Sequence, residues 1–286
     1  MSVERLAVFG AGIMGRGIAY AAALGGFTTS LYDVSLPALD RALAQIKTDL
    51  EEAVSRGKLS AESARATQAR ISPEPGFEVA ASRAHFVIEA VPEDIRIKLE
   101  LFARLDSVCG PTVVFATNTS ALSVTEIATA AKHPARVVGM HFFNPVPKMK
   151  LVEIVRGLET GEAALAAAES VARRMEKETV VVKDSAGFIT SRVNALIGNE
   201  AFLMLETGIA SARDIDRALR LGLNHPMGPF ELVDLVGLDT RLAVLEFLQR
   251  SLGDKYRPAP LLVQHVWAGR LGRKVGRGVY DYRSGS

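Results

Sequence analysis

The stretch RLAVFGAGIMGRGIAYAAALGG, residues 5–26, decides the fold that the sequence predicts. It opens with a short apolar run that ends at a glycine, which is typical of a buried strand. A glycine-rich turn, GAGIMG (10–15), then leads into an alanine-rich helix that ends at two glycines. TTSLYD (28–33) has the composition of a second strand. Strand, helix and strand in this order form a βαβ unit, which predicts a parallel sheet.

The glycine-rich turn fits the dinucleotide-binding pattern G-x-G-x-x-G. Gly10 permits the tight turn, Gly12 lets the backbone approach a pyrophosphate, and Gly15 lets helix and strand pack closely. The positions between these glycines complete the predicted cofactor contacts: Ala11, Ile13 and Met14. The N-terminus of the helix faces the phosphates in this arrangement. A glycine turn that binds no nucleotide is the alternative.

Asp33 ends the second strand, 18 residues beyond Gly15. A carboxylate at this place accepts hydrogen bonds from a ribose diol and repels a 2′-phosphate, so the sequence predicts NAD rather than NADP. FAD uses the same fingerprint, but flavoproteins are usually larger than this chain.

The composition excludes several classes of function. The chain has 286 residues and a net charge of +2, which gives no electrostatic case for a nucleic-acid partner or an anionic membrane surface. Cys109 is the one cysteine, so no intrachain disulfide is possible. Without a signal-peptide pattern or an apolar run of membrane-spanning length, a cytoplasmic protein is expected. No H-E-x-x-H pattern or Cys/His cluster indicates a metal site.

Strands and helices alternate up to residue 183, which predicts a mostly parallel sheet in residues 1–183. The crossover after Asp33 is long. Apolar residues at helical spacing from Leu36 to Val54, followed by the polar helical stretch LSAESARATQAR, predict two helices that project as an arm. After Asp184 the pattern contains only helices, so residues 184–286 are predicted to form an all-α domain. The predicted helices of that domain cover 188–208, 211–223, 230–253 and 261–272.

The stretch GMHFFNPVPKMKLVEIV (139–155) carries the candidate chemistry. His141 ends one apolar run and Glu153 lies inside the next, on either side of an NPVP turn. Imidazole titrates near neutral pH and suits proton transfer, and an acid in an apolar strand needs a partner. We interpret His141 as the base for an alcohol oxidation and Glu153 as its orienting partner. A structural histidine is the alternative.

A second polar group follows another predicted strand, in ATNTSALSV (116–124). Ligands of doubly wound sheets bind at the carboxyl ends of the strands, so Ser120 is a candidate for a hydrogen bond to the substrate oxygen. A turn or a helix cap is the alternative role of this serine.

Six motifs in this order resemble one known family. They are GAGIMGRGIA, VIEAVPED, ATNTSALSV, GMHFFNPVPKMKLVEIV, KDSAGFI and HPMGPFELVDLVGLDT. Together they are similar to the L-3-hydroxyacyl-CoA dehydrogenases, and in length to the short bacterial 3-hydroxybutyryl-CoA dehydrogenases. The resemblance covers nearly the whole chain. It implies a Rossmann-like domain with a doubly wound sheet, and a helical domain that forms a homodimer and contributes to the substrate cleft.

The resemblance also implies NAD-linked, reversible oxidation of an L-3-hydroxyacyl-CoA to the 3-oxoacyl-CoA. His141 matches the family's base, Glu153 its partner, and Ser120 a contact to substrate and cofactor. Asp33 matches the ribose acid. Further cofactor contacts are matched by Glu93, Lys98, Asn144 and Lys274.

Two substrate assignments are less direct. Ser191 stands where the family has an asparagine that contacts the substrate, and serine has a shorter reach. The family's arm contacts the CoA nucleotide, so Arg56 and Lys58 are candidates for its phosphates, with a solvated surface as the alternative. Other readings of the whole chain are a CoA-independent hydroxy-acid or sugar-acid dehydrogenase and a non-enzymatic NAD-binding protein.

Overall fold

The computed structural model describes residues 3–283 and consists of two compact units that divide after Asp184. The first unit contains an eight-stranded sheet in the order β3-β2-β1-β4-β5-β6-β7-β8. Its strands are β1 Arg5–Phe9, β2 Thr28–Tyr32, β3 Ile71–Pro73, β4 Phe86–Glu89, β5 Val114–Thr117, β6 Val137–Phe142, β7 Leu151–Arg156 and β8 Glu178–Lys183.

Every neighbouring pair of strands is parallel except β6 and β7, which are antiparallel. The central strands β4, β5 and β6 are buried along their whole length, as expected for a sheet with both faces covered. The mostly parallel, Rossmann-like sheet that the sequence predicts is therefore confirmed.

Seven α-helices lie in the described part of the first unit. They are α1 Ile13–Leu24, α2 Leu36–Ser55, α3 Ala61–Ala69, α4 Phe77–Ser82, α5 Ile95–Val108, α6 Val124–Ala128 and α7 Glu162–Arg174. The two predicted arm helices are α2 and α3, and Ser35 caps α2 by accepting a hydrogen bond from the amide of Ala38. The inner face of α2 joins the core of the unit through Leu39 and Ile46.

The second unit contains five α-helices in the described part of the chain. They are α8 Thr190–Glu206, α9 Ala212–Gly222, α10 Pro229–Val236, α11 Leu238–Leu252 and α12 Pro260–Trp267. They pack around a core that includes Phe202, Phe230 and Leu245. Among the described residues, no helix is both long and apolar enough to cross a membrane.

Two helix predictions in the second unit were wrong in extent. The run 230–253 forms two helices, because the chain bends at Gly237, where φ is +108°. The helix predicted over 261–272 ends at Trp267. In the first unit, the sequence analysis missed β3 and α4, which have only 3 and 6 residues.

Candidate active site

The glycine-rich turn has the geometry that its sequence predicts. Gly10 has a φ of +106°, and a Cβ atom there would lie 2.4 Å from the carbonyl oxygen of Ala90. A Cβ atom on Gly15 would lie 1.7 Å from the carbonyl oxygen of Gly10. A Cβ atom on Gly12 would meet nothing within 4 Å. Gly10 and Gly15 are therefore required by close packing, whereas Gly12 borders open space at the N-cap of α1.

Asp33 lies beside this turn because β1 and β2 are parallel neighbours. Its Oδ2 atom accepts a hydrogen bond from the amide of Ala11 at 2.7 Å, and its Oδ1 atom accepts one from the amide of Ser35 at 2.8 Å. The backbone thus fixes the orientation of the carboxylate. Each oxygen has further lone-pair capacity, so the same carboxylate can accept hydrogen bonds from ribose hydroxyls.

His141 and Glu153 are direct partners in the antiparallel β6–β7 ladder. The Nδ1 atom of His141 lies 2.7 Å from the Oε2 atom of Glu153, and both side chains are buried. The strand-end position of His141 is held from a third strand, because the side-chain oxygen of Asn118 accepts a hydrogen bond from the amide of Phe142. The arrangement resembles the base-and-orienter half of a catalytic triad.

The loop with Ser120 is held by Glu93. The Oε1 atom of Glu93 accepts hydrogen bonds from the hydroxyl of Thr119 at 2.5 Å and from the amide of Ser120 at 2.9 Å. The Ser120 hydroxyl and the amide of Ala121 lie at 3.3 Å from the same oxygen. The structure therefore brings the predicted residues Glu93 and Ser120 together at the carboxyl end of β5.

Lys98, another predicted cofactor contact, is fully buried between two carboxylates. Its Nζ atom lies 2.6 Å from Oε1 of Glu89 and 3.3 Å from Oε2 of Glu93. The hydroxyl of Thr117 donates to the second oxygen of Glu89. Burial raises the pKa of Glu89, and the neighbouring ammonium opposes that rise. Lys98 therefore acts first as the internal counter-ion of Glu89 and Glu93.

Glu89 and Asn118 are not among the predicted site residues. Glu89 had a signal, because an acid inside the apolar run VIEAV follows the same logic that singled out Glu153. Asn118 had a weaker signal, since small polar residues after a strand are common in turns.

A groove of about 650 Å³ runs along the first unit between α2 and the loop that joins β6 to β7. Asn144, Arg56 and Lys58 line it, so the structure places one predicted cofactor residue and both predicted phosphate ligands there. Arg56 is paired with Glu52 at 3.1 Å. Arg16 and Lys148 add two more cations to the lining.

The other two predicted residues lie in the second unit. Ser191 is in the first turn of α8. Lys274 lies in a short 3₁₀ helix and forms an ion pair with Asp239, with its Nζ atom 2.6 Å from Oδ2 of that residue. Their assigned contacts to substrate and cofactor remain predictions.

Two family models cover almost the whole chain. Residues 5–185 match the 3-hydroxyacyl-CoA dehydrogenase, NAD binding domain, and residues 187–282 match the 3-hydroxyacyl-CoA dehydrogenase, C-terminal domain. The chain belongs to the 3-hydroxyacyl-CoA dehydrogenase family. The resemblance inferred from the six motifs is therefore confirmed. The protein is an NAD-dependent dehydrogenase of this family.

Known proteins are similar to this enzyme over almost its whole length. A probable 3-hydroxybutyryl-CoA dehydrogenase of Bacillus subtilis is 45% identical over 283 residues, which are 99% of this chain and 98% of the relative. The crystal structure of (S)-3-hydroxybutyryl-CoA dehydrogenase from Ralstonia eutropha has a TM-score of 0.96 at 40% identity and covers 99% of this chain and 100% of its own. A 3-hydroxyadipyl-CoA dehydrogenase of Escherichia coli is 43% identical over 99% of this chain and 60% of the relative.

The residues around the N-terminus of α1 fit NAD. Gly12 carries no side chain that would cap the helix, and open space lies beside it, so the amides of the first turn can face a pyrophosphate. Asp33 offers a fixed carboxylate at the end of the adjacent strand. This donor and acceptor set suits the diphosphate and the adenine ribose of the cofactor.

Proposed function

We propose that the enzyme oxidises a short-chain L-3-hydroxyacyl-CoA, with 3-hydroxybutyryl-CoA as the main substrate, reversibly to the 3-oxoacyl-CoA. The observation that carries the proposal is the buried contact of 2.7 Å between His141 and Glu153. A proton carrier with a fixed partner is what alcohol oxidation requires of the protein, in addition to the nicotinamide. The names of the Bacillus and Ralstonia relatives support the acyl chain length.

In this proposal, His141 is the general base. Glu153 engages Nδ1, so the proton of the substrate hydroxyl passes to Nε2. The ring then becomes an imidazolium, and the carboxylate of Glu153 stabilises that charge. NAD held by the turn of Gly10 to Gly15 and by Asp33 would supply the acceptor for the hydride of C3. In the reverse direction, Nε2 returns the proton to the carbonyl oxygen.

Ser120 is proposed to hydrogen-bond the substrate oxygen. Glu93 supports this role, because it accepts hydrogen bonds from three consecutive residues of the Ser120 loop and so limits the movement of the hydroxyl. Glu93 in turn lies 3.3 Å from the buried Lys98. A loop held in this way loses little conformational freedom when substrate binds.

The groove along α2 is proposed to hold the CoA nucleotide. Four cationic residues line it: Arg16, Arg56, Lys58 and Lys148. Two carboxylates, Asp49 and Glu52, also line the groove, so the cations exceed the acids by two, and a polyanion gains from this net positive lining. Ser191 of the second unit is proposed to contact the acyl part.

The second unit is proposed to form the interface of a homodimer. Several large apolar side chains of its helices and loops are exposed, among them Ile209 at 71%, Leu221 at 75% and Leu223 at 66%. Exposed apolar residues of this size are a feature of association surfaces. The molar mass in solution, measured by light scattering, tests the proposal, and a mass near 30.7 kDa would contradict it.

The experiment that tests the function is NADH consumption with acetoacetyl-CoA. The matched arms are free acetoacetate, 3-oxoadipyl-CoA and NADPH in place of NADH. Fast turnover with acetoacetyl-CoA and NADH alone is the expected result. Activity only with the free acid would favour a CoA-independent dehydrogenase, and preference for the dicarboxylic thioester would contradict the proposed acyl chain.

A further inference from the structure

A lysine outside the proposed catalytic residues is buried below the loop that joins β6 to β7. Lys177 precedes β8 and is only 8% exposed. Its Nζ atom donates hydrogen bonds to the carbonyl oxygens of Val146 at 2.7 Å and Met149 at 2.9 Å. Within residues 3–283, no carboxylate forms an ion pair with it. Burial lowers the pKa of this ammonium, and the nearby charge of Glu176 opposes that shift.

These hydrogen bonds add to a few other contacts that hold the same loop. The loop turns on itself, because the amides of Lys148 and Met149 both donate to the carbonyl oxygen of Pro145. Val146 is 2% exposed and packs against α1, where a Cβ atom on Gly17 would lie 3.0 Å from it. The inner side of the loop is thus fixed by this apolar contact, by the hydrogen bond from the amide of Glu178 to the carbonyl oxygen of Lys150, and by Lys177.

The outer side of the same loop forms one wall of the groove. Pro145, Pro147 and Lys148 line the groove from this side, and Lys177 bonds the carbonyls on either side of Pro147 and Lys148. Any displacement of these carbonyls moves the wall. The opposite wall consists of α2 and the residues after it. Side chains of these segments pack into the hydrophobic core of the first unit.

We propose that Lys177 is a positioning residue for the acyl-CoA substrate, because it holds the loop that forms one wall of the groove for the CoA nucleotide. The inference rests on the proposed function of that groove. A buried cation suits the task, since an ammonium offers three donors to carbonyl oxygens that side chains without donors would leave unpaired. In this proposal, Lys177 contacts neither the substrate nor the reacting atoms.

The test compares three variants of the full-length enzyme. K177M removes the donors and keeps the length of the side chain, whereas K177R keeps the charge and the donors. K150M is the matched control, because Lys150 is exposed on the same loop and makes no side-chain hydrogen bond or ion pair in the described part of the chain. Hydrogen exchange of residues 143–150 measures how firmly the loop is held. Steady-state kinetics measure how the loop affects the KM for the substrate.

For K177M we expect faster exchange in residues 143–150 and at least a tenfold rise in KM for acetoacetyl-CoA, with kcat changed less than threefold. KM for NADH and for acetoacetyl-pantetheine, which lacks the nucleotide, should change less than twofold. K177R should have a KM for acetoacetyl-CoA close to that of the wild type, and K150M should behave as the wild type. Equal losses with both thioesters, or unchanged exchange in the loop, would overturn the proposal.

The two proposals fail in different ways. If the wild type does not turn over acetoacetyl-CoA, the proposed function fails, and the exchange experiment still decides whether Lys177 holds the loop. Calorimetric titration with CoA alone then decides whether the loop serves a nucleotide site. If the wild type is active and K177M raises the KM for NADH as much as that for the thioester, only the positioning role fails.

Discussion

His141 and Glu153 face each other across an antiparallel pair of strands, with Nδ1 of the histidine 2.7 Å from Oε2 of the glutamate. Directly opposed residues in such a ladder point to the same face of the sheet, so the backbone register alone brings the side chains together. Glu153 is fully buried, which makes the loss of its partner costly. The contact therefore depends on the core of the first unit and not on a mobile loop.

Replacement of His141 by alanine should lower kcat by ~10²–10⁴, the usual range for the loss of a general base. Because His141 is the buried partner of Glu153, the variant should also lose stability, so its unfolding midpoint is measured to show that it is folded at the assay temperature. Single-turnover oxidation of 3-hydroxybutyryl-CoA at saturating NAD measures the effect, and NADH binding by fluorescence is the control. A variant with near-normal turnover would rule out the role of His141 as base.

Replacement of Glu153 by glutamine keeps the shape of the side chain and removes its charge. We expect a folded enzyme whose kcat falls by up to ~10⁴, the loss seen when the equivalent aspartate of a Ser-His-Asp triad becomes an amide. The double variant H141A/E153Q should be no slower than H141A, because both changes remove the same function, that of the histidine as a base. Additive losses would show that Glu153 acts independently of the histidine.

Two glycines of the turn should respond differently to alanine. At Gly12 the new Cβ atom meets no protein atom, so G12A should fold normally and raise the dissociation constant of NADH at least about tenfold by excluding the pyrophosphate. At Gly15 the Cβ atom would meet the backbone of Gly10, so G15A should lose at least ~3 kcal/mol of stability.

Thermal unfolding and NADH titration separate these two effects. G12A is expected to unfold at the same temperature as the wild type. G15A is expected to unfold at a lower temperature and to yield less folded protein on expression. Tight NADH binding by G12A would place the pyrophosphate elsewhere.

The sequence was sufficient for the parts of the fold that local pattern governs. The βαβ unit around Gly10–Gly15 has its own signals. The strands with His141 and Glu153 lie side by side, because a short connection between them leaves few other arrangements.

Other parts depend on contacts between distant segments. A lysine is usually an exposed cation, and no local pattern pairs Lys98 with Glu89 of β4, whose Oε1 atom lies 2.6 Å from its Nζ atom. Lys177 meets Val146 across 31 positions of sequence, so no local pattern reveals the contact. The elements β3 and α4 are too short to show a period.

The preference for NADH over NADPH should depend on Asp33. Both oxygens of this carboxylate accept backbone hydrogen bonds, from Ala11 and Ser35, so a substitution changes the turn as well as the ribose site. D33R introduces a cation for the 2′-phosphate and should shift the ratio of kcat/KM for NADH over NADPH by at least about a hundredfold towards NADPH.

D33N is the matched control for that shift. It keeps one oxygen as an acceptor and removes the charge that repels the 2′-phosphate, so it should reduce the preference for NADH without reversing it. If D33R and D33N lose NADH activity equally and neither gains activity with NADPH, the carboxylate would serve to hold the turn, and the discrimination between the two cofactors would lie with other residues.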